Sequence, residues 1–163
     1  MIHPVDIYAA PAAARVVRKD YDYAFEEEKY RGAPDIRLHE IDVARPLEIA
    51  GERIVPVSGH HSERFEVTGY RIGPLAYLTD FKTIADAEVG KLIGVELLVV
   101  NALRFRPHPS HFNVEEALAL IARVAPRRAL ITHVSHEIGQ HAATTALLPR
   151  GVELAYDGLE III

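Results

Sequence analysis

The chain has 163 residues, and because a domain usually has about 150 residues, this length predicts a single domain. Hydrophobic residues make up 49% of the chain and charged residues 25%, which is typical of a globular protein and excludes intrinsic disorder. The formal net charge is -5, so a broad surface for nucleic acid or anionic membrane is not expected.

The composition also limits the chemistry of the protein. The sequence contains no cysteine, which excludes disulfides, thiolate catalysis and cysteine-based zinc sites. No apolar run approaches the ~20 residues that span a bilayer. The first residues, Met1 to Pro4, lack the basic and apolar regions of a signal peptide. We therefore expect a cytoplasmic protein with no membrane contact.

The first half of the chain is dominated by short strand patterns. Alternation of apolar and polar residues marks the strands, and Pro11 favours the start of a helix. In chain order, we predict a strand, a helix, a meander of strands and a hairpin: Val5 to Ala9, Ala12 to Asp20, Asp35 to Val57, and Tyr70 to Leu78.

The second half alternates helices with buried strands. A capping box at Asn113 to Glu116 marks the start of one helix. The predicted elements are a helix, a strand, a helix, a strand, a helix and two closing strands: Ile84 to Ile93, Val95 to Val100, Val114 to Val124, Ala129 to Thr132, Gln140 to Leu148, Val152 to Tyr156 and Leu159 to Ile163. Strand-helix-strand connections make the two connected strands parallel, so Val95 to Val100 and Ala129 to Thr132 are expected to end at one edge of an α/β sheet.

Histidines follow the predicted strands. Asp80 ends the hairpin, and six histidines stand just after strands: His60, His61, His108, His111, His133 and His136. Imidazole and carboxylate groups are the usual ligands of Zn²⁺. The pattern favours a metal-dependent hydrolase. In the alternative interpretation, the histidines are exposed loop residues and Asp80 caps a helix that starts near Thr83.

Four segments carry a resemblance to a known family: GYRIGPLAYLTD (69–80), LLVVNALRFRPHPSHFNVEEAL (97–118), ALITHVSHEIGQHA (129–142) and LAYDGLEI (154–161). They resemble the C-terminal half of the metallo-β-lactamase-fold hydrolases. The most similar branch contains phosphoribosyl 1,2-cyclic phosphate phosphodiesterase, a relative of tRNase Z. The resemblance implies an αββα sandwich, represented here mainly by its C-terminal half, with residues 1–163 forming one incomplete domain.

The resemblance also implies roles for individual residues. Asp80 would bridge two metal ions, zinc or manganese, and His133 would be the last histidine ligand. The upstream ligand would be His61, five residues after Pro56, with His60 as the alternative. His111 would assist at the scissile phosphate. The residues that would support the metal ligands or contact the substrate are His60, His108, His136 and Arg104.

The sequence departs from the family at one motif. No His-x-His-x-Asp-His occurs in the 163 residues, although this motif supplies ligands to both ions in the family. A catalytic zinc normally has three protein ligands and an open position, so the chain alone would hold a dinuclear centre weakly. We expect a complementing N-terminal segment, or association of the chain with itself, to complete the site.

The preferred hypothesis is a phosphodiesterase that acts on a small cyclic or phosphodiester substrate with activated water. In one alternative, the chain is a non-catalytic remnant that serves as an interaction or dimerisation module. In another it is a tRNase Z-like nuclease, although the acidic net charge makes a nucleic-acid substrate less favoured.

Overall fold

The computed structural model describes residues 4–163, which divide into two units, one that ends at Arg45 and one that comprises Pro46–Ile163. The strands are β1 (Val5–Ala9), β2 (Ile36–Glu40), β3 (Leu47–Ile49), β4 (Glu52–Ser62), β5 (Phe65–Ile72), β6 (Leu75–Leu78), β7 (Leu97–Asn101), β8 (Arg128–Thr132) and β9 (Val152–Leu154). The α-helices are α1 (Pro11–Asp20), α2 (Asp86–Gly90), α3 (Val114–Val124) and α4 (His141–Thr145).

The first unit is a strand-helix-strand arrangement. β1 and β2 pair in parallel, with Val5 opposite Ile36, and α1 connects them. The predicted first strand and helix are confirmed, with Pro11 in the first turn of α1. The predicted meander is wrong for β2, because this strand pairs with β1 and not with β3. A period of two identifies a strand, but it does not identify the partner of that strand.

The second unit is built on a mixed sheet in the order β3-β4-β5-β6-β7-β8-β9. The pairs from β3 to β6 are antiparallel, and the pairs from β6 to β9 are parallel. The predicted hairpin is confirmed as β5 and β6, and its turn contains Gly73 at φ +53°. The carboxyl ends of β6, β7 and β8 therefore share one edge, as predicted.

The core of this unit lies mainly on one face of the sheet. Leu98 and Val100 of β7 belong to a buried cluster that includes the apolar stripe of α3. On the other face, Leu97 and Val99 form a smaller cluster with Leu130. Successive side chains of a strand point to opposite faces, so β7 is covered on both sides and all five of its residues are buried.

Several predicted elements are shorter than expected or wrong. The helix expected over Ile84 to Ile93 is reduced to α2, and the helix expected over Gln140 to Leu148 is reduced to α4. Residues 159–163 do not form the closing strand that was predicted. Leu159 and Ile161 instead pack against the smaller cluster, because apolar side chains can be buried without pairing of their backbone. Within residues 4–163, no helix has the length and apolar character needed to cross a bilayer.

Candidate metal centre

Asp80 stands just beyond β6, at the edge where the parallel strands end. Its backbone has a left-handed φ of +63°, a region in which aspartate is tolerated better than most side chains. Asp80 does not cap a helix, because α2 starts at Asp86 and its N-cap is Ala85. The alternative interpretation of Asp80 as a helix cap is therefore wrong.

His61 reaches this edge from β4. Its Nδ1 lies 2.7 Å from the carbonyl oxygen of Ser110, and because a carbonyl oxygen only accepts, Nδ1 carries the proton and donates it. The Nε2 of His61 then has a free lone pair, which is the arrangement seen in metal-bound histidines. His60, the alternative ligand, is not among the clustered donors His61, Asp80 and His111. It lines a cavity of about 490 Å³ together with Lys82 and Pro109.

His111 and His133 converge on the Asp80 carboxylate. Their Nε2 atoms lie 3.1 Å and 3.3 Å from the Oδ1 of Asp80, and 3.2 Å from each other. His133 follows β8 and has a left-handed φ of +56°. Donor atoms of His61, Asp80 and His111 all lie within 4.8 Å of one another. His133 is not part of this group of three and joins it through its contacts with Asp80 and His111. The structure thus places the three predicted ligands and the predicted catalytic histidine around one carboxylate.

The chemistry of this donor set fits a divalent ion such as zinc. Imidazole nitrogens and a carboxylate oxygen are ligands that zinc and manganese accept. Burial lowers the pKa of His111, and the hydrogen bond with Asp80 opposes this shift. Burial, followed by the charge of Arg104, lowers the pKa of His108. Both shifts favour the neutral imidazole, which is the form of histidine that binds metal.

The loop between β7 and α3 carries His108 and His111, and an ion-pair cluster anchors it. Arg104 Nη1 lies 2.8 Å from a carboxylate oxygen of Glu137, and Arg106 bonds the other oxygen. Arg104 also donates to the carbonyl of Pro107. The guanidinium of Arg104, predicted either to support the metal ligands or to contact the substrate, thus forms its hydrogen bonds within the protein. His136 lies exposed beside Glu137 in a short 3₁₀ helix and outside the metal-donor group.

Sequence reasoning missed Ser110. Its carbonyl accepts from His61, and its Oγ lies 3.1 Å from the Nδ1 of His111. Ser110 therefore orients two of the histidines. The only signal in the sequence was its position inside the run His108-Pro109-Ser110-His111.

Comparisons with known proteins agree with the fold and the motifs. The family described as "Beta-lactamase superfamily domain" matches residues 2–134. A crystal structure of a diphosphatase from the PhnP family superimposes with a TM-score of 0.87 and 32% identity over 99% of this chain and 59% of its own. A Porphyromonas gingivalis protein named octanoyltransferase is 34% identical over 96% of this chain and 32% of its own length.

More distant structures share the fold alone. Human tRNase Z, short form, has a TM-score of 0.66 at 13% identity, over 96% of this chain and 66% of its own. The chain spans about a third of the Porphyromonas protein and about three fifths of the diphosphatase. The resemblance stated from the four sequence segments is confirmed, and so is the fold that it implied.

Proposed function

Because this chain belongs to the family of beta-lactamase superfamily domains, we propose that it is the metal-binding part of a hydrolase that cleaves a phosphodiester bond in a small substrate. The observation that carries the proposal is the convergence of His61, His111 and His133 on Asp80. The similarity to the diphosphatase supports chemistry at phosphorus, and its name favours the phosphoanhydride of a diphosphate as a second candidate bond.

The ligands of the ion are His61, Asp80 and His133 in this proposal. A divalent ion bound there would polarise the phosphoryl oxygen and lower the pKa of a bound water, which supplies the nucleophile. The contact between His61 and the Ser110 carbonyl orients the first imidazole toward this position. The backbone conformation of His133 directs the third ligand toward the same carboxylate.

His111 stabilises the departing oxygen of the substrate in this proposal. Its Nε2 faces the Asp80 carboxylate at 3.1 Å, so the imidazole holds a proton on Nε2 and can donate a hydrogen bond from it. The departing oxygen would accept such a hydrogen bond, which stabilises its developing negative charge. Because His111 has only about 12% of its side chain exposed, bulk water competes little for this position.

The donor count supports a complementing part. Three protein ligands are the usual number for one catalytic zinc, and His61, Asp80 and His133 would supply them. A second ion would need further donors, and the 163 residues contain no His-x-His-x-Asp-His. We infer that these donors come from a segment outside these residues or from a second copy of the chain.

Zinc binding to the purified chain tests the proposal directly. We expect one Zn²⁺ per chain by calorimetric titration, and loss of that binding in His133→Ala. The matched control is His39→Ala, which removes an imidazole that pairs with Asp6 in the first unit. Equal zinc affinity in the two variants would contradict the ligand assignment. Hydrolysis of bis(p-nitrophenyl) phosphate and of a diphosphate diester then discriminates between the two candidate bonds.

A further inference from the structure

Asn101 is a fully buried polar residue at the end of β7, with 0% of its surface exposed. Its side-chain amide forms two hydrogen bonds, both with the backbone of Phe81. The Oδ1 accepts from the backbone N–H of Phe81 at 2.8 Å, and the Nδ2 donates to the carbonyl of Phe81 at 2.9 Å. A buried amide that is satisfied on both sides fixes the segment it contacts. Asn101 therefore holds the residue that follows Asp80.

These contacts bear on the conformation of Asp80. The N–H of Phe81 belongs to the peptide plane that begins at the carbonyl carbon of Asp80, so the bond from Asn101 restrains the backbone directly after the carboxylate residue. Asp80 has a left-handed φ of +63°, and such conformations persist where the surroundings over-determine them. The ring of Phe81 is also completely buried. The direction of the Asp80 side chain is thus set from its C-terminal side.

The same peptide group is connected to His111. The carbonyl of Phe81 accepts a second hydrogen bond at 2.8 Å, from the backbone N–H of Phe112. Phe112 directly follows His111 in the chain. One carbonyl oxygen therefore joins Asn101, the segment after Asp80 and the segment after His111.

We propose that Asn101 is a positioning residue that holds the Asp80 carboxylate and the His111 imidazole against each other. It acts through the backbone of Phe81. The importance of this geometry for zinc rests on the function proposed above, whereas the geometry itself belongs to the metal-free chain. A residue of this kind differs from ordinary core packing, because its loss changes the contact between Asp80 and His111 and not only the stability.

The test compares Asn101→Ala with Thr144→Val. Thr144 is also a buried polar residue, and its hydroxyl donates to the carbonyl of Ile138 at 2.8 Å. Thr144→Val therefore removes a buried bond to backbone away from Asp80. Asn101→Asp is the second variant, because it keeps an oxygen toward the Phe81 N–H and loses the donated bond, and it takes the place of Asn101→Ala if that protein does not fold.

The first readout is the ¹⁵N–¹H long-range correlation spectrum of the histidine rings in the metal-free chain at neutral pH. In the wild-type chain we expect His111 as the Nε2–H tautomer, because Nε2 faces a carboxylate. Asn101→Ala should lose this single tautomer, and Thr144→Val should keep it. The second readout is the dissociation constant for Zn²⁺ alone, which should rise about 10- to 100-fold in Asn101→Ala and stay unchanged in Thr144→Val.

A folded Asn101 variant with the wild-type His111 spectrum would overturn the proposal. Equal loss of the tautomer in Thr144→Val would overturn it as well, because the effect would then follow stability alone. Failure of the wild-type chain to bind Zn²⁺ would contradict the proposed function instead, and the ring spectra of the metal-free variants would still decide the role of Asn101.

Discussion

Asp80 and His133 approach to 3.3 Å between Oδ1 and Nε2, and both have a left-handed backbone, with φ of +63° and +56°. The two residues stand just beyond β6 and β8, two strands that each pair with β7. Residues other than glycine rarely adopt such angles. The backbone cost at this edge is therefore concentrated on two of the residues that we propose as ligands.

The left-handed backbone of Asp80 predicts that the glycine variant at this position is more stable than the alanine variant. We expect Asp80→Gly to be more stable than Asp80→Ala by about 1 kcal/mol, because glycine has no Cβ to strain at positive φ. Urea denaturation gives the comparison. The control pair is Thr79→Gly and Thr79→Ala, since Thr79 is not at positive φ and alanine should there be the more stable. The same order at both positions would contradict the strain argument.

His111 should separate metal binding from turnover. In the zinc-loaded chain, we expect His111→Ala to keep its zinc and to hydrolyse bis(p-nitrophenyl) phosphate about 100-fold more slowly or worse, because the hydrogen bond that stabilises the leaving oxygen is lost. Zinc content is measured by elemental analysis beside the rate, and His39→Ala is the control. A His111→Ala chain without zinc would place His111 among the ligands and contradict its assignment as the hydrogen-bond donor to the leaving oxygen.

The ion pairs of Glu137 with Arg104 and Arg106 predict that the stability contributed by the loop carrying His111 depends on pH. The hydrogen bonds from Arg106, and next those from Arg104, lower the pKa of Glu137. A carboxyl whose pKa is lower in the folded state stabilises that state above the unfolded pKa of about 4.3, and loses this contribution as the pH falls through the folded pKa. Glu137→Gln should thus be less stable than wild type at pH 7.

The difference in stability between the wild-type chain and Glu137→Gln should shrink as the pH falls below about 4, because the wild-type carboxylate then becomes protonated. Urea midpoints from pH 3 to pH 7 measure it. A difference that stays constant over this range would show that Glu137 acts through packing and not through its charge.

The capping box of α3 gives a prediction about stability alone. The Asn113 side chain accepts from the Glu116 N–H at 2.8 Å, and the Glu116 carboxylate accepts from the Asn113 N–H at 2.9 Å. Asn113→Ala should lower the free energy of unfolding by about 1 kcal/mol, and Asn113→Asp should restore most of it. Thermal denaturation of the two variants provides the measurement. A similar loss in both would show that the cap contributes little.

The sequence predicts the second unit of the fold well where hydrophobic patterns are long. β7 and α3 are confirmed because an apolar run and a capped amphipathic stripe each have one good interpretation. Leu159 to Ile163 is predicted as a strand and is not one. Leu159 and Ile161 satisfy the same pattern by packing against the cluster of Leu97 and Leu130, and no pattern separates these two ways of burial.

The candidate site is predictable in its residue types and not in its supporting contacts. Asp80 and His133 are predicted from the sequence because they stand just beyond strands whose ends meet at one edge. The backbone carbonyl of Ser110 accepts from the His61 ring, and the Asn101 side chain bonds the backbone of Phe81. Such bonds depend on loop paths that local sequence does not encode. Asn101 looks in the sequence like the polar end of an apolar run.

The separation of the donors along the chain has a thermodynamic consequence. His61, Asp80 and His133 belong to β4 and to the segments after β6 and β8, so an unfolded chain holds them far apart. An ion that binds all three is a ligand of the native state alone, and its binding free energy adds to that of folding by mass action. Zinc supply and the abundance of folded protein would therefore be coupled before any substrate is present.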